Sequence, residues 1–450
     1  MVSQLKSERP VSRLTPQPWL LASETKSVIA ALTSEGAEIR FVGGCVRDSI
    51  LGQVKIKKNI NISAKIQDID IATPEFPRTV IRLLQEAGIK SFVSGSEYGT
   101  ITASIKNIKF EISTLRQDIK ADGRHASIVF TNNWIIDAGR RDFTFNALSM
   151  TPEGDIYDFY EGMNDLSQGL VRFIGDADKR INEDLLRLLR FFRFFGYYGS
   201  PPADTNAIVA CKKNAKKLPN LSGERIWSEI SKILLIPEPE EVTILMSKTG
   251  IFNYILPEAK NFERMRLVSW LETSVNQIVI VEPDALRRLA ALIETDAKGA
   301  EQLSKRWAFS NSDASRLISM TSPSLTIDPT MSANDFKKTL YKFGTGIIRD
   351  ISLLAWADEL LVTPNLPSDR MEGWENVLKK CDNWKDLKFP LNGHDVTVLG
   401  IEEGPHVGEL LLSVEGWWEE SGYTAGRKAC LKQLKSLVKK KKNEFLSNSI

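Results

Sequence analysis

Two aspartates one residue apart, Asp68 and Asp70 in the run QDIDIAT at 67–73, are the first residues able to do chemistry. A strand alternates faces at every residue, so both carboxylates point one way while Ile69 and Ile71 face the opposite layer. Two carboxylates side by side repel each other unless a cation lies between them. Magnesium is the natural cation for such oxygen ligands, and it bridges readily to nucleotide phosphates. The alternative is a plain pair of exposed aspartates at a strand end. Glu111, in IKFEIS at 108–113, supplies a third carboxylate on the face opposite Phe110 and Ile112. It would complete an acidic cluster for in-line phosphoryl transfer, or be an exposed strand glutamate. In such a cluster one metal lowers the pKa of an attacking hydroxyl and a second neutralises a leaving pyrophosphate.

Upstream, FVGGCVRD at 41–48 follows a β-like run and opens a helical one. Gly43 and Gly44 let backbone approach a ligand closely, and the helix start that follows favours an anion. Arg47, in the first turn, can donate a forked pair of hydrogen bonds to phosphate oxygens. Downstream, RRDFTFNA at 140–147 sets Arg140 and Arg141 before Asp142. That is a poor helix interior but a good clamp for ribose and triphosphate; a surface ion cluster would explain the charges but not Asn146.

The segment NEDLLRLLRFFR at 182–193 reads as one helix. Asp184, Arg187 and Arg190 fall at steps of three and form one polar ridge amid leucines and phenylalanines. As a surface ion pair, Asp184–Arg187 is worth only about 0.2–0.5 kcal/mol. As a reader of bases, the carboxylate accepts from the exocyclic amine of cytosine or adenine while the guanidinium donates to the ring acceptors. Uracil and guanine place a carbonyl where that amine sits. One good bidentate contact discriminates by about 1–3 kcal/mol.

These segments need a scaffold. Before residue 150, β-rich runs (AEIRFVGG, QDIDIAT, SFVSGSEYGTITASI, IKFEIST, ASIVFT) alternate with helical ones; afterwards the pattern is almost wholly helical, with proline-bearing breaks between helices. The fold class expected is α+β, a mixed N-terminal domain followed by an all-helical body. The 450 residues suffice for two to four modules. No apolar run approaches the roughly 18 to 20 residues that span a bilayer, so no membrane partner is expected. The start of the chain lacks a secretory apolar region, and the four cysteines, Cys45, Cys211, Cys381 and Cys430, form no metal or disulfide pattern. A reducing cytoplasm fits. The net charge of +2 conceals lysines gathered at 212–217 and 432–442, candidate phosphate contacts or plain solvated faces.

Taken in order, GGCVRD at 43–48, DID at 68–70, RRDFTFNAL at 140–148 and EDLLRLLRFFRF at 183–194 resemble the class II tRNA nucleotidyltransferase and poly(A) polymerase family, of bacterial type. SGERIWSEISKIL at 222–234 is similar to its later helical motif. The resemblance implies a polymerase beta-like nucleotidyltransferase palm over 1–150, a neck with a nucleotide-selecting helix over 151–235, a body over 236–330 and an RNA-binding tail over 331–450. It implies Asp68 and Asp70 as Mg2+ ligands with Glu111 as third catalytic carboxylate. It implies Gly43, Gly44, Arg47, Arg141 and Asp142 for nucleotide phosphates and sugar, and Asp184, Arg187, Arg190 and Arg193 for base and triphosphate. The partners implied are the tRNA 3′ end with CTP and ATP, and the activity is addition of C, C and A. A poly(A) polymerase, an A-adding enzyme and a non-catalytic RNA-binding relative are the alternatives.

The family's flexible loop would fall at Arg116–Ser127, with Gly123 as a hinge. Residues 49–67 form an insert longer than in many relatives. His394-Asp395 is a lone dipeptide without the surroundings of a phosphohydrolase site.

Overall fold

Strand-forming runs of the first 160 residues pair into one sheet because each carries an apolar face. In β3 (Asp68–Thr73) Ile69 and Ile71 are fully buried, and in β6 (Ile108–Thr114) so are Phe110 and Ile112. The remaining strands are β1 (Ser12–Arg13), β2 (Arg40–Val42), β4 (Ser91–Gly95), β5 (Thr100–Ile105), β9 (Ser149–Met150) and β10 (Asp155–Tyr157). Their order is β1-β10-β9-β2-β3-β6-β5-β4. The β3–β6 pair is parallel and places Asp70 opposite Glu111; the neighbours are antiparallel. The computed structural model describes residues 9–57, 68–95, 99–106, 108–121, 126–274, 279 and 281–447.

Segment Arg116–Ser127, expected as a loop, is instead largely strand. β7 (Arg116–Ala121) pairs antiparallel with β8 (Ala126–Phe130) as a separate two-stranded ribbon. The β-branched Ile128 and Val129 favour extended backbone, which outweighs the polar composition. Gly123 lies outside the described residues. So do residues 58–67 of the insert, whose first part continues a helix.

Five helices position the site. α1 (Gly44–Lys57) leaves β2 through Gly43, and α2 (Trp134–Gly139) is capped by Asn133. α3 (Ala177–Glu183) and α4 (Leu186–Tyr198) follow, and α5 (Gly223–Leu234) is capped by Ser222. The expected single helix through Asn182–Arg193 is therefore two. Asp184 has extended backbone (φ −148°, ψ 110°), and its Oδ1 accepts from the Leu186 N–H at 3.1 Å. A short acidic side chain competes for free amides at a helix start better than it serves a helix interior. α4 is anchored by aromatic packing, with Phe191 stacked on Phe173 at 5.9 Å and Phe194 edge-on to Phe143 at 5.2 Å.

Residues 1–260 and 306–308 form one compact unit; 261–305 and 309–450 form a second, helical one. Within the second unit, fully buried Glu272 holds Arg287 and Arg288, each at 2.6 Å, and Asp350 holds Arg287 and Arg316 at 2.9 and 2.7 Å. Its terminal helix, Arg427–Ser447, carries exposed Lys432, Lys435, Lys439 and Lys440. The His394-Asp395 pair is a helix start: Asp395 completes a capping box with Asn392 and pairs with Arg427. No described helix is long and apolar enough to cross a membrane.

Candidate active site

Gly43 turns the chain from β2 into α1 with φ +70°, a conformation that side-chain-bearing residues adopt at a cost. A Cβ there would stand 2.9 Å from Asp70 Oδ2, so the glycine also makes room for the carboxylate. The turn opens on a cavity of about 510 Å³. Its walls are Gly43, Gly44, Arg47, Asp70, Arg140, Arg141, Asp142, Asn146, Asp184, Leu186, Arg187, Arg190 and Phe194. Five arginines face three aspartates, so the lining carries an excess of two positive charges, which suits a polyanion.

Of the residues singled out from sequence, Gly43, Gly44, Arg47, Asp70, Arg141, Asp142, Asp184, Arg187 and Arg190 meet in this cavity. Asp68 and Glu111 do not line it; both are exposed beside Asp70 on the polar face of the sheet. Arg193 does not line it either. Its guanidinium pairs with buried Glu229 at 3.3 Å and lies 4.7 Å over the Phe194 ring.

The acidic face is electrostatically crowded. Burial, then the charge of Glu111, push the Asp70 carboxyl up to about 6, with Arg141 pulling against them and Asp68 adding to them. No three metal-binding side chains among the described residues already converge into a cage. The donor set nonetheless fits a hard divalent cation: three carboxylates from two paired strands and one polar face, with repulsion that such an ion relieves.

Beneath the cavity the arginines are aimed by acids. Asp137, buried in α2, accepts from Arg140 at 2.9 Å, Arg141 at 3.2 Å and the Arg116 N–H at 3.1 Å. Burial would raise its carboxyl, but the adjacent Arg141 and Arg140 outweigh that and hold it below the usual range. Asp142 Oδ1 accepts from the Phe143 N–H and Asn146 Nδ2, each at 2.9 Å, and Oδ2 accepts from Arg190 Nε at 2.7 Å. Here too burial is overcome, chiefly by Arg190, and the carboxyl stays low.

The Asp184–Arg187 ion pair, the alternative to base reading, is replaced by bonds to other partners. The break before α4 takes Asp184 off the ridge, and its Oδ1 accepts from Arg225 of α5 at 2.9 Å. Arg187 donates to Glu183 at 2.5 Å and to the Arg140 carbonyl at 2.9 Å. The two groups thus share one wall, each held by a different neighbour.

The poly A polymerase head domain family matches residues 39–172, and the family described as the probable RNA and SrmB- binding site of polymerase A matches 204–263. The mitochondrial CCA tRNA nucleotidyltransferase 1 of Mus musculus is 32% identical over 422 residues, covering 92% of this chain and 91% of the mouse protein. The chain belongs to the CCA tRNA nucleotidyltransferase family. The CCA-adding enzyme of Anoxybacillus flavithermus is 30% identical over 397 residues, covering 86% of this chain and 90% of that protein. The crystal structure of the Bacillus stearothermophilus CCA-adding enzyme in complex with CTP shares the fold, with a TM-score of 0.70 at 23% identity over 95% of this chain and 100% of that one.

Four residues that hold this candidate site together, Asp137, Asn146, Glu183 and Arg225, were given no partner or role by the sequence reading. Asp137 stands three and four places before Arg140 and Arg141, the spacing of a helical ion pair, so a signal existed. Asn146 and Glu183 were within quoted motifs but had no partner to define them. Arg225 reaches Asp184 across 41 residues, and nothing in its neighbourhood announces that contact.

Proposed function

We propose that this nucleotidyltransferase adds C, C and A to the 3′ end of tRNA from CTP and ATP, releasing pyrophosphate by two-metal phosphoryl transfer. The observation that carries this reading is one cavity bringing together the glycine turn, Asp70, the Arg140-Arg141-Asp142 clamp and the wall with Asp184 and Arg187. Asp68, Asp70 and Glu111 would hold Mg2+. When bound, such ions acidify the attacking 3′-hydroxyl and neutralise the departing pyrophosphate.

The chain's own groups do the rest. Arg47 and Arg141 receive phosphate oxygens, with Gly43 and Gly44 letting backbone come close. Asp142 and Arg190, locked to each other, carry the sugar and phosphates. Asp184 has Oδ1 engaged by Leu186 and Arg225, which leaves Oδ2 to accept from the amine of cytosine or adenine, and Arg187 donates beside it. Lysines of 212–217 and 432–440 would contact tRNA phosphates without reading sequence.

The test uses tRNA transcripts ending before CCA, in CC, or in CCA, with Mg2+ and with CTP and ATP supplied separately and together, products being resolved to single nucleotides. Addition of C, C and A followed by arrest is expected, and none from the Asp68→Ala/Asp70→Ala protein. A long A tail would indicate a poly(A) polymerase, extension of the CC-ended transcript alone an A-adding enzyme, and no incorporation an RNA-binding relative.

A further inference from the structure

Arg47 is 7% exposed, yet it lines the cavity, and its guanidinium is held on several sides. Nε donates to Asp48 Oδ1 at 2.8 Å, Nη2 to Asp48 Oδ2 at 3.1 Å and Nη1 to Asn146 Oδ1 at 2.8 Å. An arginine has five N–H donors, so these three bonds leave two for anything entering the cavity. Above the guanidinium lies the ring of Tyr198, 4.3 Å from the central carbon, and the Tyr198 hydroxyl donates to Asp48 Oδ1 at 3.0 Å.

Two polar routes therefore run from α4 to Arg47. Arg190 grips Asp142, Asp142 accepts from Asn146 Nδ2, and Asn146 Oδ1 accepts from Arg47. Eight residues on, Tyr198 packs on the guanidinium and steadies the Asp48 carboxylate that forks it. The amide orientation of Asn146 is forced, because a guanidinium only donates and a carboxylate only accepts. No other uncharged side chain of that size satisfies both ends.

We propose that Asn146 and Tyr198 are positioning residues for nucleotide binding, acting through Arg47 and tying its aim to α4, the helix that carries Arg187. This rests on the reading of Arg47 as a phosphate contact. Its consequence is that a disturbance of α4 reaches the phosphate grip as well as Arg187, for CTP and ATP alike.

The experiment compares Tyr198→Phe, Asn146→Asp and Asn146→Ala, each alone and in an Arg47→Ala background. It measures kcat and KM for CTP on tRNA lacking CCA and for ATP on tRNA ending in CC, with KM for tRNA and the thermal midpoint alongside. Tyr198→Phe keeps the ring and removes one hydroxyl, so it is the variant least able to disturb folding. We expect it to raise KM about 3- to 10-fold for both nucleotides, less than the full worth of a hydrogen bond to a charged group because the hydroxyl acts on the nucleotide only through Asp48 and Arg47. Asn146→Asp, which sets a carboxylate against Asp142, and Asn146→Ala should raise it about 10-fold or more. KM for tRNA should stay unchanged. With Arg47 already replaced, the Tyr198→Phe effect should vanish and the two Asn146 effects should shrink to the part that acts through Asp142. Unchanged nucleotide KM in the Tyr198 and Asn146 variants, or equal effects with and without Arg47, would overturn the positioning role alone. An unchanged nucleotide KM in Arg47→Ala itself would overturn the phosphate assignment, and this inference with it.

Discussion

Replacing Asp142 by asparagine removes a charge while keeping the shape, and the geometry says what that should cost. The amide oxygen can still accept from the Phe143 N–H and Asn146, but its NH2 then faces Arg190 Nε and Nη2, which now sit 2.7 and 2.6 Å from Oδ2. A hydrogen bond to a charged group contributes about 1.5–3 kcal/mol. Arg190 is 31% exposed and can turn partly to water, which places the loss near the lower end, about 2 kcal/mol. That is a factor of about 30 in the local opening equilibrium of the 143–147 turn. Amide hydrogen exchange of Thr144 and Asn146, whose N–H groups bond to Arg172 and Phe143 carbonyls at 3.1 and 3.0 Å, reads it directly. The pH dependence separates the opposing forces. Because the folded carboxyl titrates below its ordinary value of 3.8, the stabilisation is present above that value and is lost only as pH falls through the folded pKa. The difference between the two proteins should stay constant from about pH 8 to about pH 5. A difference that closes between about pH 7 and about pH 5 would mean that burial outweighs Arg190, and the reasoning would fail.

Asp70→Asn should lower nucleotide addition by more than about a hundredfold while leaving tRNA affinity, read by gel shift, unchanged. Gly43→Ala sets a methyl 2.9 Å from Asp70 Oδ2 at φ +70°, so a stability loss of about 1–2 kcal/mol by thermal unfolding should accompany a larger loss of activity. Arg225→Leu frees Asp184 and should change the CTP-to-UTP preference, measured as a ratio of kcat/KM values, by about 5- to 100-fold. Glu272→Gln removes the buried carboxylate charge that Arg287 and Arg288 share, and calorimetry should report a loss of about 3–5 kcal/mol in the second unit.

How much of this was legible beforehand depends on how local the cause is. The DID strand could be read because period-two alternation is a property of a few consecutive residues, and Ile69 and Ile71 are buried as that alternation requires. The glycine turn and most of the arginine set were legible for the same reason. The break at Asp184 was not, because leucine and phenylalanine spacing carries a helix straight through and the competing signal is one side chain at one cap. Arg225 and Asn146 were illegible in function since their partners are 41 and 99 residues away. The β7–β8 ribbon was half legible: ASIVFT read as strand, but its polar partner RQDIKA did not. Long-range pairing of polar groups leaves no periodic trace, whereas apolar burial does.

The parallel pairing of β6 with β3 has a consequence for how errors in this chain express themselves. Glu111 stands beside Asp70 only because Phe110 stands beside Ile69. Sliding β6 by one residue would drive Glu111 into the layer now filled by Phe110 and present an aromatic ring where a carboxylate belongs. The same alternation that seals the interior thus writes the acidic face, and the two cannot be mistaken independently. A misthreaded molecule therefore loses its packing and its acidic face at once. A substitution that promotes such a register error at this central strand pair should be seen first as missing protein.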